Sequence, residues 1–214
     1  MVDQTFVDSL LLEVDLIDPR IQRLVEGMEK RQVQFDPDIR EEQIGLSSID
    51  LRLGYVFTKH KAVAGLTVDP LADGFEPSNI TETFDLSQRT PPPGQTETYI
   101  LKPNNFVLSR TLEKLRLPRN LAAQVQGVTS GARAGLCVHA TAPHIHPGFS
   151  GSITLELSNL GSWDLRLTPE MRICQLIFFK VMTPVSLRDV AAMTSYQDQA
   201  LPFPKRQISK SKLA

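Results

Sequence analysis

Short apolar runs, each cut off within a few residues by proline or glycine, dominate this chain. Strand-like candidates lie at 48–53, 55–58, 97–101, 105–109, 122–126, 136–140, 152–157, 163–167 and 173–180. Pro and Gly cannot continue a central strand without cost, so their placement between these runs marks turns. Many short strands, few helical runs and fifteen prolines argue for a mainly-β fold, a distorted barrel or a jelly-roll-like sandwich. One helix is expected ahead of the strands. Asp18-Pro19 reads as N-cap and first helical position, and Ile21, Leu24, Val25 and Met28 follow at helical spacing over about residues 19–30.

At 214 residues the chain fits one domain with small appended segments, and that length buries a core without staples. Residues 1–14, with Leu10-Leu11-Leu12, read as an N-terminal extension, either an ordered arm or an unstructured one. Residues 15–194 form the β domain, and 195–214 a basic C-terminal tail. The stretch 68–96, carrying Pro70, Pro77 and Pro91-Pro92-Pro93-Gly94, reads as a surface excursion. A formal net charge of -1 gives no basic footprint for nucleic acid, so any polyphosphate must meet local cations. No apolar run approaches the ~20 residues of a membrane span, and the first residues lack a secretory pattern. The expectation is a cytoplasmic protein with Cys137 and Cys174 reduced.

Residues 127–159 concentrate the chemistry. Gly127, Gly131 and Gly135 permit sharp turns or close backbone approach, and Arg133 sets a permanent cation among them. Glu156 interrupts the apolar alternation Ile153, Leu155, Leu157. It is either the wet face of a surface hairpin or a functional carboxylate.

Together these residues resemble the dCTP deaminase branch of the dUTPase-like superfamily, which reads G-(K/R)-S-S-x-A-R-x-G-(L/V) and then H-x-T-A-x-x-I-D-P-G-(F/W)-x-G-x-(I/V)-x-L-E. Gly127, Ser130, Ala132, Arg133, Gly135, Leu136, His139, Thr141, Ala142, Ile145, Pro147, Gly148, Phe149, Gly151, Leu155 and Glu156 fall in register. Four further segments are similar to the family's other motifs: Ser47 to Leu53, Phe106 to Pro118, Pro169 to Leu176, and Tyr196 with Gln199. The resemblance spans about residues 15–207.

It implies a dUTPase-type fold, a homotrimer with active sites between subunits, and hydrolytic deamination of dCTP to dUTP and ammonia. Glu156 would be the general acid/base that moves a proton from water to the leaving amine. Its burial among Leu155 and Leu157 would raise its pKa. The Ala142 carbonyl would help place the water, Arg133 would hold the tetrahedral adduct, and Thr129 stands where the family has its first loop serine. Ser130 would bind phosphate in an anion nest. His139, Thr141 and His146 complete the expected substrate site, with Tyr196 and Gln199 in a tail that closes as a lid. The substrate would be dCTP, with dUTP or dTTP as further ligands, and Mg²⁺ would arrive with the triphosphate. The H-x-E and P-C-x-x-C pattern of zinc deaminases is absent. Three histidines within residues 139–146 follow the family spacing rather than a ligand pattern. A buried pairing of Asp50 with Arg52, which share a strand face, is expected to organise the barrel or a subunit contact.

Four residues depart from the family. Val128 replaces a basic residue, Gly131 a hydrophobic one, His146 the aspartate before Pro-Gly, and Ser195 a lysine. Two lost cations, at roughly 1.5 to 3 kcal/mol each, would weaken triphosphate binding by on the order of a hundredfold or more unless replaced. Arg119, Lys205 and Arg206 are the candidates for replacement. Alternative readings are a catalytically weakened nucleotide-binding homologue, and a dUTPase or bifunctional enzyme forming dUMP.

Overall fold

The computed structural model describes residues 33–69 and 77–186, together with 188, 190 and 197. The expected helix at about 19–30, the extension 1–14 and all of the tail 195–214 except Gln197 lie outside these residues.

Among the described residues the protein is mainly β. The first sheet runs β4 (Thr81–Asp85), β3 (Val56–His60), β6 (Phe106–Arg116), β10 (Ser150–Asn159) and β8 (Leu136–Cys137), with β1 (Gln34–Asp36) also pairing to β6. The second runs β2 (Ile49–Arg52), β12 (Arg172–Lys180), β7 (Leu121–Gly127) and β9 (His144–Ile145). A small third sheet joins β5 (Tyr99–Leu101) to β11 (Leu165–Leu167). Among the described residues the strands form three separate hydrogen-bonded paths without a closed ring, which leaves the barrel or jelly-roll detail unconfirmed. A short helix, α1 (Thr129–Arg133), follows β7 directly.

The expected strands are present, and β6 continues to Arg116, well beyond its expected end. Within the stretch 68–96, the described residues 77–96 include regular structure. It contains β4, which pairs antiparallel with β3, and places Phe84 5.9 Å from Phe57. β4 was inconspicuous in sequence because Thr81-Glu82-Thr83-Phe84-Asp85 is a polar edge strand with little apolar alternation.

Strand β10 alternates strictly. Gly151, Ile153, Leu155, Leu157 and Asn159 face inward, while Ser152, Thr154, Glu156 and Ser158 are half-buried on the other face. Leu155 and Leu157 join Leu51, Leu53, Ile173 and Leu176 in one core shared by both main sheets. Each such side chain contributes roughly 1.5–3 kcal/mol by leaving water.

A buried carboxylate ties the two sheets together. Glu113, on β6, is 0% exposed and accepts from Arg52 Nε at 2.7 Å and from the Arg52 amide at 2.8 Å. Gln43 Nε2 donates to it at 2.9 Å and to the Asp50 carbonyl at 2.8 Å. Arg52 therefore pairs with Glu113, and through Nη1 with Glu170 at 3.3 Å. The expected Asp50–Arg52 pairing is not formed. Asp50 instead meets Arg172 across the β2–β12 ladder.

Removing a single partner from such a buried pair strands the other charge. Glu113→Ala is expected to lower unfolding free energy by about 3–5 kcal/mol, measured by urea denaturation. An unchanged midpoint would show that the network carries no net stability.

Candidate functional site

Strand β7 ends at Gly127, where the chain turns into α1 and exposes Thr129, Ser130 and Arg133. Together with Val128, Asp50 and Arg172 they line a cavity of about 550 Å³. Arg172 was not expected there, and Asp50 was expected chiefly in a buried pairing with Arg52 rather than at a ligand site. Arg172 Nη1 lies 3.3 Å from Asp50 Oδ2 and 3.3 Å from the Glu42 carbonyl. Burial pushes the Asp50 carboxyl above its ordinary range, and the neighbouring Arg172 opposes this. Arg172 falls at a position that the motif over Pro169 to Leu176 leaves unspecified, which is why the motif did not single it out.

Of the three loop glycines, Gly135 has a steric reason. It has φ +95°, and a Cβ there would lie 2.6 Å from the Gly161 amide nitrogen. At Gly131 a Cβ would make ordinary contacts with Val128 and Leu136 at 3.4 and 3.5 Å. A Cβ is therefore accommodated at this position.

Glu156 stands elsewhere and is not part of that cavity's lining. It is half-buried on the outer face of β10, turned away from Leu155 and Leu157 rather than buried among them, because strand side chains alternate. Its Oε2 accepts from the Ala140 amide at 2.6 Å, and its own amide donates to the Val138 carbonyl at 3.0 Å. These bonds lay the segment His139 to Ala142 against the carboxylate. Thr141 and Ala142 are exposed. His139 is half-buried, and its Nδ1 is buried without a hydrogen-bond partner among the described residues. An orphan of this kind is costly and suits a ligand site.

His144 and His146 flank the buried Ile145 at the sheet edge and meet edge-on, with ring centroids 4.7 Å apart. Past them, Gln197 bonds to the backbone on either side of Phe149. Its Oε1 accepts from the Ser150 amide at 2.5 Å, and its Nε2 donates to the Gly148 carbonyl at 3.1 Å. Tyr196 and Gln199 lie outside the described residues, and Gln197, an unassigned position between them, was missed. Both cysteines are free, and burial, with Glu113 and Asp50 nearby, pushes the Cys174 thiol far up. Among the described residues no helix is long and apolar enough to cross a membrane.

The fold is mainly β, with a cavity beside a glycine-bounded loop and a carboxylate held by a backbone amide. The sequence places it further: residues 16–181 match the family model described as dCTP deaminase-like, and the chain belongs to that family. It is 40% identical over 158 residues to a protein of Dictyoglomus turgidum named dCTP deaminase, dUMP-forming, covering 73% of this chain and 77% of that one. It is 37% identical over 199 residues to a Halorubrum lacusprofundi protein named dCTP deaminase, covering 92% and 90%. The crystal structure of the Agrobacterium tumefaciens 2'-deoxycytidine 5'-triphosphate deaminase shares the fold, with a TM-score of 0.53 at 19% identity, covering 84% of this chain and 52% of that one.

Burial, and secondly His144, hold the His146 imidazole below its ordinary pKa near 6.5. A lowered value means that the folded state binds this proton more weakly than the unfolded chain does. Its contribution to stability is therefore lost as pH falls from 6.5 through the folded midpoint. His144→Gln removes the lesser cause, so the His146 midpoint is expected to rise part of the way to the ordinary value. Ring-proton NMR across the titration checks this.

Proposed function

We propose that this protein hydrolytically deaminates dCTP to dUTP and ammonia, taking the nucleotide as its Mg²⁺ complex. The observation that carries the reading is the Glu156 carboxylate, fixed by the Ala140 amide at 2.6 Å against the His139–Ala142 segment. The names of the relatives support the substrate.

In this mechanism Glu156 takes a proton from water as the oxygen attacks C4 of the cytosine ring. The C4–N3 π pair moves to N3, which receives that proton from Glu156; Glu156 then takes the hydroxyl proton of the tetrahedral adduct and passes it to the amino group, so that C4=O forms as the C4–N bond breaks and ammonia departs. The Ala142 carbonyl positions the water. Arg133 stabilises the adduct, the Thr129 hydroxyl stands beside it, and Ser130 contacts phosphate. His139, Thr141 and His146 surround base and sugar, with Tyr196 and Gln199 closing over them. A protein-bound zinc is not part of the proposal, since the zinc-deaminase spacing is missing from the sequence.

Within one chain Glu156 is absent from the cavity that holds Arg133. A homotrimer resolves this by placing Arg133 of the partner subunit opposite Glu156, within a jelly-roll-like assembly of the three sheets. A cytoplasmic site of action suits a nucleotide substrate.

A second reading, continued hydrolysis to dUMP, is favoured by the dUMP-forming name of several relatives. His146 weighs against it, because dUTPases orient their hydrolytic water with an aspartate at that position.

Incubation with Mg²⁺ and dCTP, dCMP or dUTP, resolved by chromatography and mass, tests both readings. dUTP accumulating from dCTP supports deamination alone, and dUMP establishes the second reading. Glu156→Gln is expected to abolish turnover while nucleotide binding persists, and full activity in that variant would remove Glu156 from the role. His146→Asp is expected to raise activity; a loss would show that the histidine has a function of its own.

A further inference from the structure

We propose that Arg172 is the phosphate-facing cation that replaces the one missing at Val128. The inference rests on the dCTP reading and names the residue that makes its site workable.

The register of the second sheet delivers Arg172 to this place. Cys174 on β12 lies opposite Gly127, the last residue of β7. Because the strands are antiparallel, Arg172 projects past the end of β7, where the chain turns into Val128, Thr129 and Ser130. It lines the cavity with them and with Arg133. Its side chain is 58% exposed, and its recorded bonds to Asp50 Oδ2 and the Glu42 carbonyl both use Nη1. A guanidinium carries five N–H donors in a planar fork, so these two contacts aim it without exhausting it. The cavity thus holds two arginines against one carboxylate, although Val128 contributes no charge.

The other candidates are less well placed. Arg119 precedes β7, at the opposite end from Gly127, and at 3.2–3.4 Å per residue that strand spans roughly 20 Å. Its Nη1 donates to the Val185 carbonyl at 3.0 Å. Lys205 and Arg206 lie outside the described residues.

The test combines steady-state kinetics on Mg²⁺–dCTP with calorimetric binding of inorganic tripolyphosphate. Both are applied to the full chain and to Arg172→Gln, Arg172→Lys and the double variant Arg172→Gln/Val128→Arg. Loss of one charge-assisted contact predicts that Arg172→Gln raises KM for dCTP by about 10- to 100-fold, with a smaller effect on kcat, and weakens tripolyphosphate by a similar factor. Arg172→Lys should retain part of the affinity, and Val128→Arg should restore part of it. A structural prop for Asp50 would not be rescued from position 128. Unchanged tripolyphosphate and dCTP affinity in Arg172→Gln overturns the proposal. So does a loss accompanied by a fallen melting temperature that Val128→Arg does not repair. If the wild-type protein binds tripolyphosphate through Arg172 yet never deaminates dCTP, the deaminase reading fails and the assignment of Arg172 stands.

Discussion

The fold depends on one buried carboxylate. Glu113 sits at 0% exposure on β6 of the first sheet and is satisfied by Arg52 on β2 of the second and by Gln43. Hydrophobic contact between two sheet faces is non-directional and sets no register. A desolvated ion pair with backbone and amide partners tolerates one arrangement, since any slip leaves a charge without its partner. The register of β2 against β6 in turn fixes Asp50, two residues before Arg52, at the cavity mouth.

The same division of labour appears on β10. One strand supplies the core through Leu155 and Leu157 and presents Glu156 on its opposite face. Rigid neighbours on one side make a precise carboxylate on the other, and the amide of Ala140 removes most of its remaining freedom. Arg133 belongs to a different surface, after β7. Within one subunit, then, the candidate groups Glu156 and Arg133 do not share a cavity lining.

Much of this was legible in the sequence, and what was not has identifiable causes. Strand periodicity located β10 and β12, because alternation is a local property. The same arithmetic put Asp50 and Arg52 on one face but could not name their partners, which lie on β12 and β6 and are set by long-range pairing. β4 was lost in a proline-rich stretch because an edge strand needs no apolar alternation. Motif matching singled out Glu156, Arg133 and Ser130 as candidates. It passed over Arg172 because that residue stands at a position its motif leaves unspecified, and charge at such a position acquires meaning only through what faces it.

That last point bears on how such a site changes over time. A cation on a turn, as the family has at position 128, is held by the loop alone. A cation on β12 is held by the ladder to β2 and by Asp50, and β2 is locked to β6 through Arg52 and Glu113. On the role proposed for Arg172, a cation on a strand exchanges adaptability for pre-organisation. Less side-chain freedom is left to lose when a triphosphate binds. The exchange also makes the site answerable to the framework: a shift of β2 against β12 would move Asp50, Arg172 and the cavity wall together. On that role, binding strength and fold stability would be coupled through the same few residues, Asp50 and Arg172 among them.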